Sequence, residues 1–371
     1  MNVKIAFLFK KDSHFKAVKS TALRLCAQYN CEPIFIGVDS EYFPIKERHS
    51  VIYIGIQDLT SLFEYDYVIA CLGGYLLNHV VSALRHTNTK VISIFPGIVS
   101  HYQFDAFISR LNADQVWLNS RADYDLYNKI CSIFGKYSNG ILYGMSWLDL
   151  KACNIEDNTV IESDRAIFFE QTEILSKNSD RKRFLSVLEK IIVMNPNIYI
   201  KYKVRNNTND EYFSKVRSYL SHFENVNVVE SLTPLDIAQA RYYLSISSSA
   251  LIEGIVCGKS SYIIDSYLLD SDSKEFYKKS NLNLQEVNLT SNLMCINKEW
   301  YEQRIFLPLE KVNLSSIIKN DRSIFFRNRN LNFIRLKLLK LIFIHPKIFY
   351  LIISKIRLCH IQKSLEYTSI Q

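Results

Sequence analysis

Short, nearly continuous apolar runs alternate with segments of helical spacing along the first part of the chain. The runs are VKIAFLF (3–9), EPIFIGV (32–38), VIYIGI (51–56), YVIACLG (67–73), KVISIFPG (90–97), QVWLNS (115–120) and GILYG (140–144). Runs of this length read as strands covered on both faces, which is the habit of parallel sheets. Between them, 13–29 and 75–87 place apolar residues at intervals of three and four, the spacing of an amphipathic helix. Strands alternating with helices in this way predict a doubly wound α/β domain.

The rhythm then lapses in a polar stretch, KACNIEDNTVIESDR (151–165), and starts again. The second series comprises AIFFEQT (166–172), a helix over 179–194, NIYIKYKV (197–204), NVNVVE (225–230), YYLSIS (242–247) and SSYIID (260–265). The pattern predicts two α/β domains, 1–155 and 156–320, followed by a tail over 321–371. With 371 residues and 48% hydrophobic content, the chain is long enough for two cores. There is no internal repeat and no Pro/Gly-rich linker.

Charge separates the tail from the body. Of the residues behind the net charge of +8, ten Lys or Arg fall in 321–371 against Asp321 and Glu366 alone, so the first 320 residues are neutral overall. That balance excludes a globally basic nucleic-acid binder. The tail interleaves its cations with Ile, Leu, Phe and Tyr, and Arg335, Lys337, Lys340 and Lys347 interrupt every stretch long enough to cross a bilayer. The expectation is a peripheral element lying on an anionic membrane surface; the alternative is a pair of C-terminal helices packed on the body with Lys and Arg snorkelling outward. Eight cysteines without repeated spacing, mostly in apolar runs, read as reduced core residues in a cytoplasmic protein. The apolar run in MNVKIAFLFKK is too short for a signal peptide and reads as the first strand.

In open α/β sheets, ligands bind beyond the C-terminal ends of the strands. In SISSSALIEGIVCGK (245–259), Ser247, Ser248 and Ser249 stand where a strand gives way to a helix that stops at Gly258. Hydroxyls beside a helix N-terminus suit a nucleotide phosphate, and Glu253, four residues on, lies on the same helical face and suits a ribose. One serine is otherwise the helix cap. Lys203 and Arg205 alternate to one face of a strand and complement a phosphate, or are solvated edge cations. Asp12 and Ser13, followed by His14, come after the first strand, where Asp12 is placed to take a proton from an acceptor hydroxyl or else to cap a helix. Pro96-Gly97 makes a turn open to a ligand, with His101 and Asp105 beyond it. The triplet Asp270 to Asp272 reads as a chance loop, and no Cys/His cluster has zinc spacing, so no metal is expected. Neither a phosphate-loop motif nor a G-x-S-x-G motif is present, and a dinucleotide fingerprint is also missing.

Two successive α/β domains followed by C-terminal helices make the outline of a GT-B glycosyltransferase. The order of segments from 166 to 265 resembles the donor-binding half of bacterial surface-polysaccharide GT-B enzymes, including sialyltransferase-like capsule and lipooligosaccharide glycosyltransferases. FLFKKDSHFKAVKSTA and FPGIVSHYQFDAFISRLNADQVWLNS resemble the same group in the first half. The resemblance implies two Rossmann-like domains facing a cleft. A donor site would be built from Gln171, Lys203, Arg205, Ser247 to Ser249 and Glu253, with Asp12 and His101 as catalytic residues and Ser13 and Gly97 on the acceptor side. Where many relatives carry His-Pro, this chain has KYKVRNN. The implied reaction is metal-independent, inverting transfer from a nucleotide sugar, with a cytidine-monophosphate nonulosonic acid as the preferred donor, to a lipid-linked glycan. Alternatives on the same outline are a nucleotide-sugar epimerase, a polyol-phosphate transferase, and a non-catalytic membrane-bound assembly subunit.

Overall fold

The computed structural model describes residues 3–40, 51–134, 136–148, 164–172, 174–205 and 210–319. The expected boundary at 155 and the basic tail 321–371 lie outside them. Two compact units divide the chain: Met1–Leu148 with Gln303–Gln371, and Asp149–Glu302.

The first unit is a sheet of seven parallel strands: β1 (Ile5–Phe9), β2 (Ile34–Val38), β3 (Val51–Ile54), β4 (Tyr67–Ala70), β5 (Lys90–Ser93), β6 (Gln115–Leu118) and β7 (Gly140–Leu142), in the order β3-β2-β1-β4-β5-β6-β7. Its helices are α1 (Asp12–Tyr29), α2 (Gly74–Ala83), α3 (Phe104–Ile108) and α4 (Arg121–Ile133). All five positions of β1 are buried, because helices cover both faces of the sheet's centre, whereas the edge strand β3 is only partly covered. Ala6, Leu8 and Val68 pack with Leu77, Val80 and Val81 of α2. Val116 and Leu118 pack with Phe104 and Phe107 of α3 and Ile130 of α4.

Residues 303–319, which the sequence pattern assigned to the second domain, belong to this first unit. Met145 N donates to Phe306 O (3.0 Å), and Leu309 N donates to Tyr143 O (2.8 Å). Gln28 Nε2 donates to Val312 O and Val312 N returns a bond to Gln28 Oε1, at 2.8 and 2.9 Å. At Gly144 the backbone has φ +102, and a side chain would collide with the Leu307–Pro308 backbone, so the close passage of the two segments requires glycine.

The second unit holds β8 (Arg165–Phe169), β9 (Tyr199–Lys203), β10 (Val226–Val229), β11 (Tyr242–Ser245) and β12 (Ser260–Ile263), all parallel, in the order β10-β9-β8-β11-β12. Helices α5 (Asn178–Met194), α6 (Glu211–Leu220), α7 (Pro234–Gln239), α8 (Ala250–Val256), α9 (Ser271–Tyr277) and α10 (Lys298–Arg304) complete it. Phe168 and Tyr202 stack with ring centroids 5.1 Å apart, and Phe184 of α5 closes on them.

All twelve expected strands are present, but several stop two to four residues earlier than their apolar runs. Cys71, Leu72, Ile94 and Phe95 lie past the strand ends and are still buried, so apolarity continued where ladder pairing had ended. Each sheet reverses its order once, between β1 and β4 and between β8 and β11. At such a reversal the connections leave to opposite faces and open a crevice at the C-terminal strand ends. Among the described residues no helix is long and apolar enough to cross a membrane. One cysteine departs from expectation: Cys257 is disulfide-bonded, while Cys26, Cys31, Cys71, Cys131 and Cys295 are free.

Candidate functional site

The reversal between β8 and β11 brings together residues 76 apart in sequence. Gln171 follows β8 and Ser247 follows β11, and the Gln171 Oε1 accepts from Ser247 N at 2.6 Å and from Ser247 Oγ at 3.1 Å. These bonds fix which end of the amide is oxygen, leaving the two Nε2 hydrogens without a partner among the described residues. Ser245 Oγ donates to Phe169 O at 2.8 Å, tying the same two strand ends together. Ser248 Oγ accepts from Ala250 N at 3.2 Å, whereas Ser249, the N-cap of α8, makes no side-chain capping bond. Of three adjacent hydroxyls, one therefore braces the turn, one locks Gln171, and Ser249 remains available. Thr172 adds a buried hydroxyl without a partner. The corner thus presents neutral donors at a strand-end crevice, which is the equipment for phosphate or sugar oxygens.

A pocket of about 340 Å³ adjoins it, lined by Tyr267, Lys274, Tyr277 and Lys279 among others. Tyr277 forms the shared wall, since its hydroxyl donates to Ser248 O at 3.2 Å. Asp270 caps α9 by accepting from Ser273 N at 2.7 Å, which accounts for the first acid of the Asp270 to Asp272 triplet. Glu253 is half-buried; burial first, and the Glu253 carboxylate second, push the Tyr243 hydroxyl pKa up.

Lys203 and Arg205 stand one strand over. Lys203 ends β9, and its ammonium turns back onto Val204 O at 2.5 Å; Arg205 lies beyond the strand and is exposed. Backbone pairing runs on past the strand end, where Val204 N donates to Val229 O at 2.9 Å. Sequence reading passed over the residue beneath. Glu170 is 4% exposed, accepts both Nε and Nη2 of Arg217, and takes Arg205 N at 3.1 Å. Inside EQT it reads as the polar end of a strand, and its partner lies 47 residues away on α6.

In the first unit, Asp12 is the first residue of α1 and Lys11 is its N-cap, so Asp12 is not the cap. Both Asp12 and Ser13 are exposed. Gly97 follows β5, and its carbonyl accepts from Asn119 Nδ2 at 3.0 Å. His101 gains an orienting carboxylate: its Nε2 lies 3.1 Å from Asp123 Oδ1. The signal for Asp123 was present as Ser-x-x-Asp over 120–123. Ser120 Oγ caps the N–H of Asp123, while the Asp123 carboxylate turns to the histidine.

His14 also carries a titration signal in this unit. Burial, then Arg110, Lys11 and Lys10, lower its pKa from 6.5 to about 4. The unfolded chain therefore binds a proton between those values that the folded protein does not. Stability should fall as pH drops from 6.5 towards 4, by about 3 kcal/mol from this residue. Denaturant unfolding of wild type and His14→Gln at pH 7 and pH 4 checks this: the wild type should lose that much more than the variant, and equal losses would remove His14 from the account.

Comparison with known proteins extends the picture. Among solved structures, the S. aureus MnaA–UDP complex is similar at 12% identity and TM-score 0.57, over 82% of this chain and 91% of that one. The UDP-GlcNAc 2-epimerase of Neisseria meningitidis bound to UDP-GlcNAc is similar at 13% identity and TM-score 0.55, over 91% and 100%. The wall teichoic acid polymerase TagF is similar at 10% identity and TM-score 0.51, over 83% and 85%. At such identities the likeness is one of fold, a GT-B-like pair of Rossmann units. No curated protein matches the sequence. The family model described as "Putative glycosyltransferase (DUF6716)" matches residues 45–319, and with most of both units inside that match the chain belongs to this glycosyltransferase family.

Proposed function

We propose that this protein moves a sugar from a nucleotide donor to a growing bacterial surface polysaccharide or lipooligosaccharide, with the donor held at the β8–β11 corner. The observation that carries the placement is the Gln171–Ser247 lock, which leaves amide and hydroxyl donors at the strand-order reversal of the second unit. Neutral donors there stabilise the leaving phosphate as its bond to the sugar breaks. The acceptor hydroxyl forms the new bond at the anomeric carbon in a single displacement, with inversion, and gives its proton to a base in the first unit. His101, oriented by Asp123, is the first candidate for that base, and Asp12 is the second.

Uridine nucleotides lead the donor test, because two of the similar structures hold UDP or UDP-GlcNAc, and a cytidine-monophosphate sugar, to which the sequence resemblance points, is the comparison. Gln171→Ala and the Ser248→Ala/Ser249→Ala pair should weaken binding of whichever nucleotide the wild type takes by about tenfold or more, by titration calorimetry, with the circular dichroism spectrum unchanged. Unaltered affinity in folded variants would remove the donor from this corner. Interconversion of UDP-GlcNAc with no acceptor present would replace transfer with epimerisation.

A further inference from the structure

Arg110, just past α3, is a buried cation with no acid bonded to it among the described residues. It is 4% exposed, yet its guanidinium bonds only to carbonyls: Nη1 to Ala106 O, and Nη2 to Leu72 O and Ile94 O at 3.0 and 3.4 Å. Phe95 stacks beneath it, 3.9 Å from ring centroid to Cζ. A guanidinium has five N–H donors. Here Nε is buried without a partner, and a second Nη1 hydrogen has none among the described residues. Burial lowers its pKa to about 10. Carbonyls satisfy hydrogen bonds but carry no net charge, so the positive charge stands uncompensated, a costly arrangement unless an anion completes it.

The surroundings are suited to one. A side-chain carbon at Gly73 would lie 3.6 Å from both Nη atoms, in van der Waals contact, and Gly73 is itself exposed, so a larger side chain there would cover the guanidinium. Gly73 is the N-cap of the ten-residue helix α2 and offers no capping side chain. Gly74, at φ +53, has nothing near its absent Cβ. The first-turn N–H groups of α2 and the guanidinium therefore open onto one place. Across the reversal, in the first turn of α1, His14 Nδ1 is buried with no partner among the described residues, and Lys10 and Lys11 add positive field.

We propose that the β1–β4 crevice of the first unit is an oxyanion site that takes a phosphate or carboxylate group. Arg110 supplies the charge, the start of α2 supplies N–H donors, and Gly73-Gly74 leaves the approach open. The site is separate from the donor corner and stands without it. That the oxyanion belongs to the acceptor rests on the functional reading above.

Thermal unfolding of the full chain with inorganic phosphate or glucuronate, against chloride at matched ionic strength, tests the site. Phosphate or glucuronate should raise the wild-type midpoint, and the stronger of them says whether the group is a phosphate or a sugar carboxylate. Gly73→Leu, at an extended backbone position, covers the guanidinium and should weaken the apparent affinity at least about tenfold, as should Arg110→Gln if it folds. Gln171→Ala should leave the anion effect intact, which separates this site from the donor corner. The proposal falls if neither anion acts beyond chloride on the wild type, or if folded Gly73→Leu responds as the wild type does.

Discussion

Glu170→Ala is expected to destabilise the second unit by about 3–5 kcal/mol, enough to leave it largely unfolded at moderate denaturant. The carboxylate is buried, and Arg217 reaches it through two nitrogens while Arg205 N–H occupies one of the same oxygens. Removal leaves the Arg217 guanidinium on α6 without the carboxylate that it bonds through two nitrogens. The bond also raises the Arg217 pKa, with the Glu170 hydrogen bond as the leading cause. Because the penalty comes from the orphaned partner, Glu170→Leu combined with Arg217→Leu should recover much of the loss. Denaturant unfolding read from the far-ultraviolet signal measures both. A single variant within 1 kcal/mol of the wild type, a small value against the range expected for buried pairs, would show that the pair contributes little.

His101→Asn is expected to lower turnover by roughly 10²–10⁴-fold with nucleotide affinity nearly unchanged, the signature of a lost general base. The ring is anchored by a buried carboxylate, Asp123, whose backbone is fixed by the Ser120 cap, so the imidazole is held in one orientation at the β5 end. Asp123→Asn should then act through the histidine, reducing turnover less than His101→Asn does, with the two losses not adding. Asp12→Asn runs as the companion measurement, since Asp12 is exposed on the first turn of α1. Should Asp12→Asn lose the larger factor and His101→Asn keep near wild-type turnover, the base is Asp12 and the His101–Asp123 pair is a brace.

Much of the scaffold was legible in the apolar runs, and some of the site was legible from strand ends. Gln171 and Ser247 to Ser249 were chosen as residues following strands, and the fold places Gln171 against Ser247 because β8 and β11 are neighbours. Lys203 and Arg205 were chosen together as phosphate-binding cations; in the fold the Lys203 ammonium turns back onto Val204 O, and Arg205 lies exposed beyond β9. The cap of α1 was misplaced by one residue: Asp-Ser is a capping pair by type, but the extended backbone falls at Lys11. Arg110 gave no signal, since a lone arginine in FISRLNAD reads as the exposed face of a short helix.

The doubly wound character of both units follows from the chain's local pattern, because burial on both faces forces each parallel strand to be apolar throughout, and that pattern needs only local neighbours to be read. Which loops sit at strand C-termini follows likewise, since chain order alone decides that. The rest came with the assembled fold: which strands adjoin, that 303–319 return to the first unit, that Glu170 meets Arg217, that Asp123 meets His101, and that Arg110 lies buried beside Gly73 with no acid bonded to it among the described residues. Each of these joins residues brought close by strand order or chain return, and a charge's partner is chosen by three-dimensional proximity and burial, neither of which local periodicity encodes.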